Sequence, residues 1–266
     1  MTPAPRRLVL SAADFESLVR RAGVRLPPPF SVESPPADRD GTGPVHPSLA
    51  ANLAVLARPD LLVRVDADLP AGVSRAVFAV AGPVGASLFA RARADGRSAS
   101  SRAEGAVELS MFAGTWLGRE LIRAVPDPPS AGVGSSLAPD GGSPRWDGRR
   151  VSRTALTEYG AARRLVGPRE AAVALGLTDA DADLLADLTD RTQGTLRALV
   201  HGRPHGADRG VLVGRVVWVA TDAGWFELAP SDVDEVELVR VTRERIGTRL
   251  APMIAQVLAE VDNDAA

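Results

Sequence analysis

The chain contains no cysteine, which removes disulfides, thiolate metal sites and cysteine nucleophiles. It contains no lysine either: all 31 basic residues are arginine. The two side chains are not interchangeable, and no binding mode demands total exclusion of one, so this absence reads as a coding bias. Aromatic residues are sparse, at 4%. No apolar run approaches the ~20 residues needed to span a bilayer. The opening MTPAPRRLVLSAADF sets only three apolar residues after its two arginines, so no secretory signal is expected. A cytoplasmic protein without membrane insertion is therefore the expectation. The basic excess of a nucleic-acid binder is missing too, because the net charge is −2.

What is present is a repeated order of elements. Leu61–Leu69 alternates cleanly, with Leu61, Val63, Val65, Ala67 and Leu69 on one side of a strand. Short turns at Pro70–Gly72 and Gly82-Pro83 lead into strands over Ser74–Val80 and Val84–Arg91. Connections this short predict antiparallel neighbours. A polar stretch, Ala94–Gly105, reads as a long hairpin loop before a fourth strand at Val107. Phe112, Trp116, Leu117, Leu121 and Val125 then mark a helix. The second copy runs GTLRALVH from Gly194, GVLVGRVVWVA, GWFELA and DEVELVRV, then a helix from near Arg243 with Pro252 inside it. An interior proline costs about 3 kcal/mol, which predicts a kink or restart there.

Each copy is preceded by capped helices. Ser11 before Asp14 and Thr178 before Asp181 fit N-caps, Gly23 fits a C-terminal cap, and Pro47 fits a first helical position. Residues 126–149 are rich in Pro, Gly and Ser, and read as a linker whose Trp146 tacks its end onto the body. The organisation expected is 1–125, linker 126–149, and 150–266, with both halves in one continuous domain. Two such half-sheets join most simply edge to edge about a pseudo-twofold axis. The fold class is α+β, a central, mostly antiparallel twisted sheet flanked by helices. Open outer edges would allow a homodimer.

Catalytic and cofactor signatures are missing. No GxSxG, phosphate loop or GxGxxG fingerprint occurs, and no cofactor is expected. His201 and His205 in HGRPH have helical metal spacing, but Gly202 and Pro204 favour a hairpin tip. Asp179, Asp181, Asp183 and Asp190 echo a calcium loop, yet Leu184 stands where that loop needs Gly. Asp66 and Asp68 share one side of a strand, where solvation outweighs pairing for chemistry. His46 suits a cap or the surface. Trp218, Trp225 and Phe226 form the only dense aromatic group, first expected in the core but also of the kind a protein-binding surface uses.

The opening LVLSAADFESLVRRAG, the helix ending ARPD before LLVRV, and GTLRALVHGRPHGADRGVLVGRVVWVATDAGWFELAP together resemble the EspG family. Those proteins are chaperones of type VII (ESX) secretion. The resemblance spans essentially the whole chain, including its duplication. It implies the α+β fold above and a function by binding, with no enzymatic activity. The implied partner is the aggregation-prone tip of a PE/PPE-like, or WxG-type, helical secretion substrate. It also implies contact through the 94–105 loop with Arg97, Ser98 and Arg102, the strand Val211–Ala220 with Trp218, and the Trp225-Phe226 pair. Two other readings stay open at this point. One is an enzyme assembled from distant residues such as Asp66, Asp68 or His201; the other is a structural or regulatory subunit unrelated to secretion.

Overall fold

The computed structural model describes residues 5–32, 44–92, 106–128, 146–203 and 210–264. The first repeat opens with β1 (Arg6–Leu10) and α1 (Ala12–Ala22). Ser11 caps α1 by accepting from the Asp14 N–H, and Gly23 ends it at φ 64°, where a Cβ would be strained. Helix α2 (Pro47–Ala57) begins on Pro47, and the His46 Nδ1 caps it by accepting from the Ser48 N–H. Strands β2 (Leu61–Leu69), β3 (Gly72–Ala81), β4 (Val84–Ala92) and β5 (Val107–Ala113) follow, each antiparallel to the one before. A 3-10 turn at Gly114–Trp116 leads into α3 (Leu117–Ala124).

The second repeat has β6 (Arg150–Ser152), α4 (Arg153–Val166), α5 (Pro168–Ala174) and α6 (Asp179–Arg191). Strands β7 (Thr192–Gly202), β8 (Val211–Thr221), β9 (Gly224–Pro230) and β10 (Glu235–Val241) come next, then α7 (Arg245–Asp264). The ten strands form a large antiparallel sheet in the order β1-β5-β4-β3-β2-β7-β8-β9-β10-β6, flanked by helices. Counted within each repeat, the order outward from the middle is second, third, fourth, fifth, first in both directions. The topology therefore carries the duplication read from the sequence.

By compactness the chain forms two units. One unit comprises Met1–Pro126, Arg197–Val216 and Glu244–Ala266; the other comprises Asp127–Leu196 and Val217–Arg243. The boundaries fall after Pro126, within β7, within β8 and after Arg243.

In the first unit, Phe15, Leu18 and Val19 of α1 and Leu53 and Leu56 of α2 bury themselves with Val77, Ala79, Ala86, Leu88, Ala90, Val107 and Leu109. Those strand residues alternate, so they share one sheet face. Full burial of each large apolar side chain is worth about 1.5–3 kcal/mol. Residues of the other parity, such as Leu61, Val63, Val65 and Phe78, are also buried, and α7 and α3 pack on β2 and β3. Helix α7 comes close because two positions beneath it lack side chains. A Cβ on Gly214 would lie 2.6 Å from the Met253 sulfur, and one on Gly202 would lie 3.0 Å from Val257.

Two expectations need correction. Phe112 belongs to β5, not to the helix after it. It faces Gly85 across the β4–β5 pairing, and its ring occupies the space a Cβ at Gly85 would take. Helix α7 also runs through Pro252 without restarting. Pro252 is exposed, as is Thr248, whose carbonyl loses its intrahelical donor, so water can satisfy that group.

The second unit has its own core. Trp146, Val151, Ala155, Tyr159, Ala171, Leu184, Leu185 and Leu188 pack with Phe226, Val236 and Leu238. Trp146 is fully buried and donates its indole N–H to the Asp187 carboxylate at 2.8 Å. The linker's last residues are thus held in place. Helix α6 is capped by the Thr178 hydroxyl, which accepts from the Asp181 N–H.

Candidate functional site

The aromatic group is placed by strand pairing. Ala220 faces Trp225 and Trp218 faces Glu227 across β8–β9, which puts the two tryptophans on one side with ring centroids 6.2 Å apart. Phe226, the next residue, points the opposite way and meets Trp146 edge-to-face at 4.3 Å. Trp218 and Phe226 are 0% exposed and Trp225 is 2% exposed. These three side chains therefore lie in the core. Arg97, Ser98 and Arg102 lie outside the described residues, as does His205.

The titratable candidates resolve into local structure. Asp66 is bridged by Arg64 at 2.7 Å and by Arg75 at 3.5 Å, and Asp68 by Arg75 at 2.8 Å. They form an ion-pair ladder on β2–β3. Asp179, Asp181 and Asp183 lie on one continuous helix, a conformation that a calcium loop cannot adopt, and Asp190 pairs with Arg163 at 2.7 Å. His201 sits within β7 and not at a hairpin tip. Among the described residues, no group of three or more His, Cys, Asp and Glu could hold a metal.

Two features of the first unit were not legible in the chain. One is the exposed start of β8. Val211 is 55% exposed and Leu212 52%. Neighbouring strand residues point to opposite faces, so that end of β8 is uncovered on both sides. The only sequence signal was the pair of large apolar residues next to Gly210.

The other is a cleft of about 360 Å³ lined by Leu26, Leu56, Leu62, Asp60, His201, Arg25 and Arg203, among others. Its walls come from the segment after α1, the end of α2, the start of β2, the end of β7 and Gly210 just before β8. Burial first, and then the neighbouring Arg64 guanidinium, hold the His201 imidazole below its ordinary pKa. Among the described residues, the His201 Nδ1 is buried without a hydrogen-bond partner.

No protein-family profile matches the chain. No curated protein matches it either. Among solved structures it is similar to the Mycobacterium tuberculosis type VII secretion system chaperone EspG5, determined in complex with a PE25-PPE41 dimer. That likeness covers 94% of this chain and 96% of the other, at a TM-score of 0.58 and 12% identity. A second structure, an N-terminal dehydratase from the difficidin assembly line, has a TM-score of only 0.13 and carries no argument. The chain has an EspG-like fold.

Proposed function

We propose that the chain is a non-enzymatic, chaperone-like binding protein of a type VII secretion system. It acts in the cytoplasm on the tip of a PE/PPE-like helical substrate and keeps it soluble for export. The observation that carries this reading is the near end-to-end likeness to EspG5, a chaperone whose structure contains a PE25-PPE41 dimer. An apolar helical tip is an aggregation hazard until a complementary surface covers it, and binding of that kind needs no catalytic group. The ion-paired Asp66 and Asp68 support the same side of the choice.

Within this reading, the contact regions are the 94–105 loop with Arg97, Ser98 and Arg102, and the exposed start of β8. Trp218, Trp225 and Phe226 belong to the scaffold beneath. The test is co-expression of the full chain with a PE/PPE heterodimer, followed by affinity purification. A stable complex is expected, and Val211→Asp with Leu212→Asp should weaken it at least about tenfold without changing the melting temperature. If no PE/PPE heterodimer co-purifies with a chain that is folded by circular dichroism, the proposal is wrong.

A further inference from the structure

The cleft in the first unit has the composition of a ligand site, and nothing in the chaperone reading uses it. Its floor is aliphatic: Leu56 is 0% and Leu26 5% exposed, with Leu62 and Pro27 beside them. At about 360 Å³ it is at the small end of the range for small-molecule pockets, roughly 300–1,000 Å³.

The polar groups at its wall are unevenly matched. Arg25 and Arg203 both line it, and neither guanidinium has a carboxylate partner among the described residues. Among the described residues the single lining carboxylate, Asp60, is engaged by the Gly82 N–H at 3.0 Å. Its backbone carbonyl accepts from the Arg203 N–H, which ties β7 to the start of β2. Among the described residues, Nε of Arg203 and Nδ1 of His201 are buried without hydrogen-bond partners. Their desolvation cost is already incurred by the fold, so a ligand entering here meets polar groups that need little stripping of water.

Two unpaired guanidiniums against one engaged carboxylate favour a guest anion, and the aliphatic floor favours an apolar body behind it. A guanidinium fork matches a carboxylate in geometry as well as charge. We propose that this cleft binds a carboxylate carried on a short aliphatic body, with Arg25 and Arg203 holding the carboxylate and Leu26, Leu56 and Leu62 the chain. The same chemistry occurs in a free aliphatic acid and in the C-terminal leucine of a peptide.

The test uses the full chain with 13C-labelled histidine, titrated with hexanoate and, separately, with an acetylated Ala-Leu dipeptide bearing either a free or an amidated C-terminus. The chain has three histidines, so the His201 signal is readily assigned with the variant His201→Gln. The expected result is a saturable shift of the His201 Hε1 resonance, with His46 unmoved. Arg25→Gln and Arg203→Gln should each weaken binding at least about tenfold. Arg25 is exposed, so its variant keeps the fold even if that of Arg203 does not. Tighter binding of the free-acid dipeptide than of hexanoate assigns the site to chain ends; the reverse assigns it to small acids. Absence of a saturable shift up to about 10 mM of either acid, or equal shifts from hexanol or the amidated dipeptide, overturns the proposal. Loss of substrate co-purification would leave this result untouched, because the exposed end of β8 and the cleft are probed by different variants.

Discussion

Glu120 is the sharpest test of how the first unit is held together. It lies on α3 with its side chain 3% exposed, and it accepts from Arg7 of β1 at 2.7 Å and from Arg123 at 3.1 Å. Glu108 of β5 completes the group, at 3.4 Å from Arg7 and 2.7 Å from Arg123. Two arginines and two glutamates thus tie the first strand to the helix after the fifth. Removing one member of a buried ion pair costs about 3–5 kcal/mol when the other is left without water. Here Arg7 and Arg123 are 41% and 30% exposed and keep Glu108, so solvent recovers part of that cost. The expected loss for Glu120→Ala is about 3 kcal/mol, and for Glu120→Gln, which keeps shape and an acceptor, about 2 kcal/mol. At about 2–4 °C per kcal/mol, the alanine variant should melt roughly 6–12 °C lower by circular dichroism. Because Arg7 and Glu120 touch, Arg7→Ala combined with Glu120→Ala should destabilise by at least about 0.5 kcal/mol less than the sum of the single changes. A shift below about 2 °C for Glu120→Ala, or strict additivity in the cycle, would refute the network as a stabilising device.

Gly85→Ala should cost about 1–3 kcal/mol in urea unfolding, because its Cβ would occupy the space of the Phe112 ring; Phe112→Leu in the same chain should recover part of the loss. Trp146→Phe should lower stability by about 1.5–3 kcal/mol through loss of the charge-assisted bond to Asp187. Trp218→Phe should cost less than Trp146→Phe, since among the described residues the Trp218 indole N–H is buried without a partner and its removal relieves an unsatisfied donor. Asp234 is held below the ordinary carboxylate pKa, first by the Ser152 hydroxyl and then by Thr154. A lowered folded pKa means stability that is present above the unfolded pKa and lost as the pH falls through the folded one. Asp234→Ala should therefore melt lower than the parent chain at neutral pH, with the gap closing in strong acid.

The local grammar of the fold was legible in the chain. Ser11, Gly23, Pro47 and Thr178 end or begin helices because caps need particular side chains or φ angles, and those needs are met by residues three or four positions away. Strand β2 was readable because one of its faces is apolar and the other charged, so the period of two is visible. Strand β9 was not readable in the same way. It is buried on both faces, so Trp225 and Phe226 carry no alternation, and an aromatic pair in sequence gives no sign of which side is covered. Phe112 was misassigned for a related reason: its spacing fits a helix, but a side-chain-free position opposite it in β4 makes room for it in the sheet. The cleft was beyond reach, since its walls come from residues 25–27, 56–57, 59–60, 62, 201–203 and 210, and no local pattern brings Arg25 to Arg203.

The double coverage of β9 sets a clock for the second unit. A backbone amide exchanges its hydrogen when some motion admits water, and most strands offer a cheap local route. With Trp225 shielded on one side and Phe226 clasped by Trp146 on the other, β9 has no such route from either face. Its amides should be among the last of the second unit to exchange, and their rate should report the opening of the unit's core.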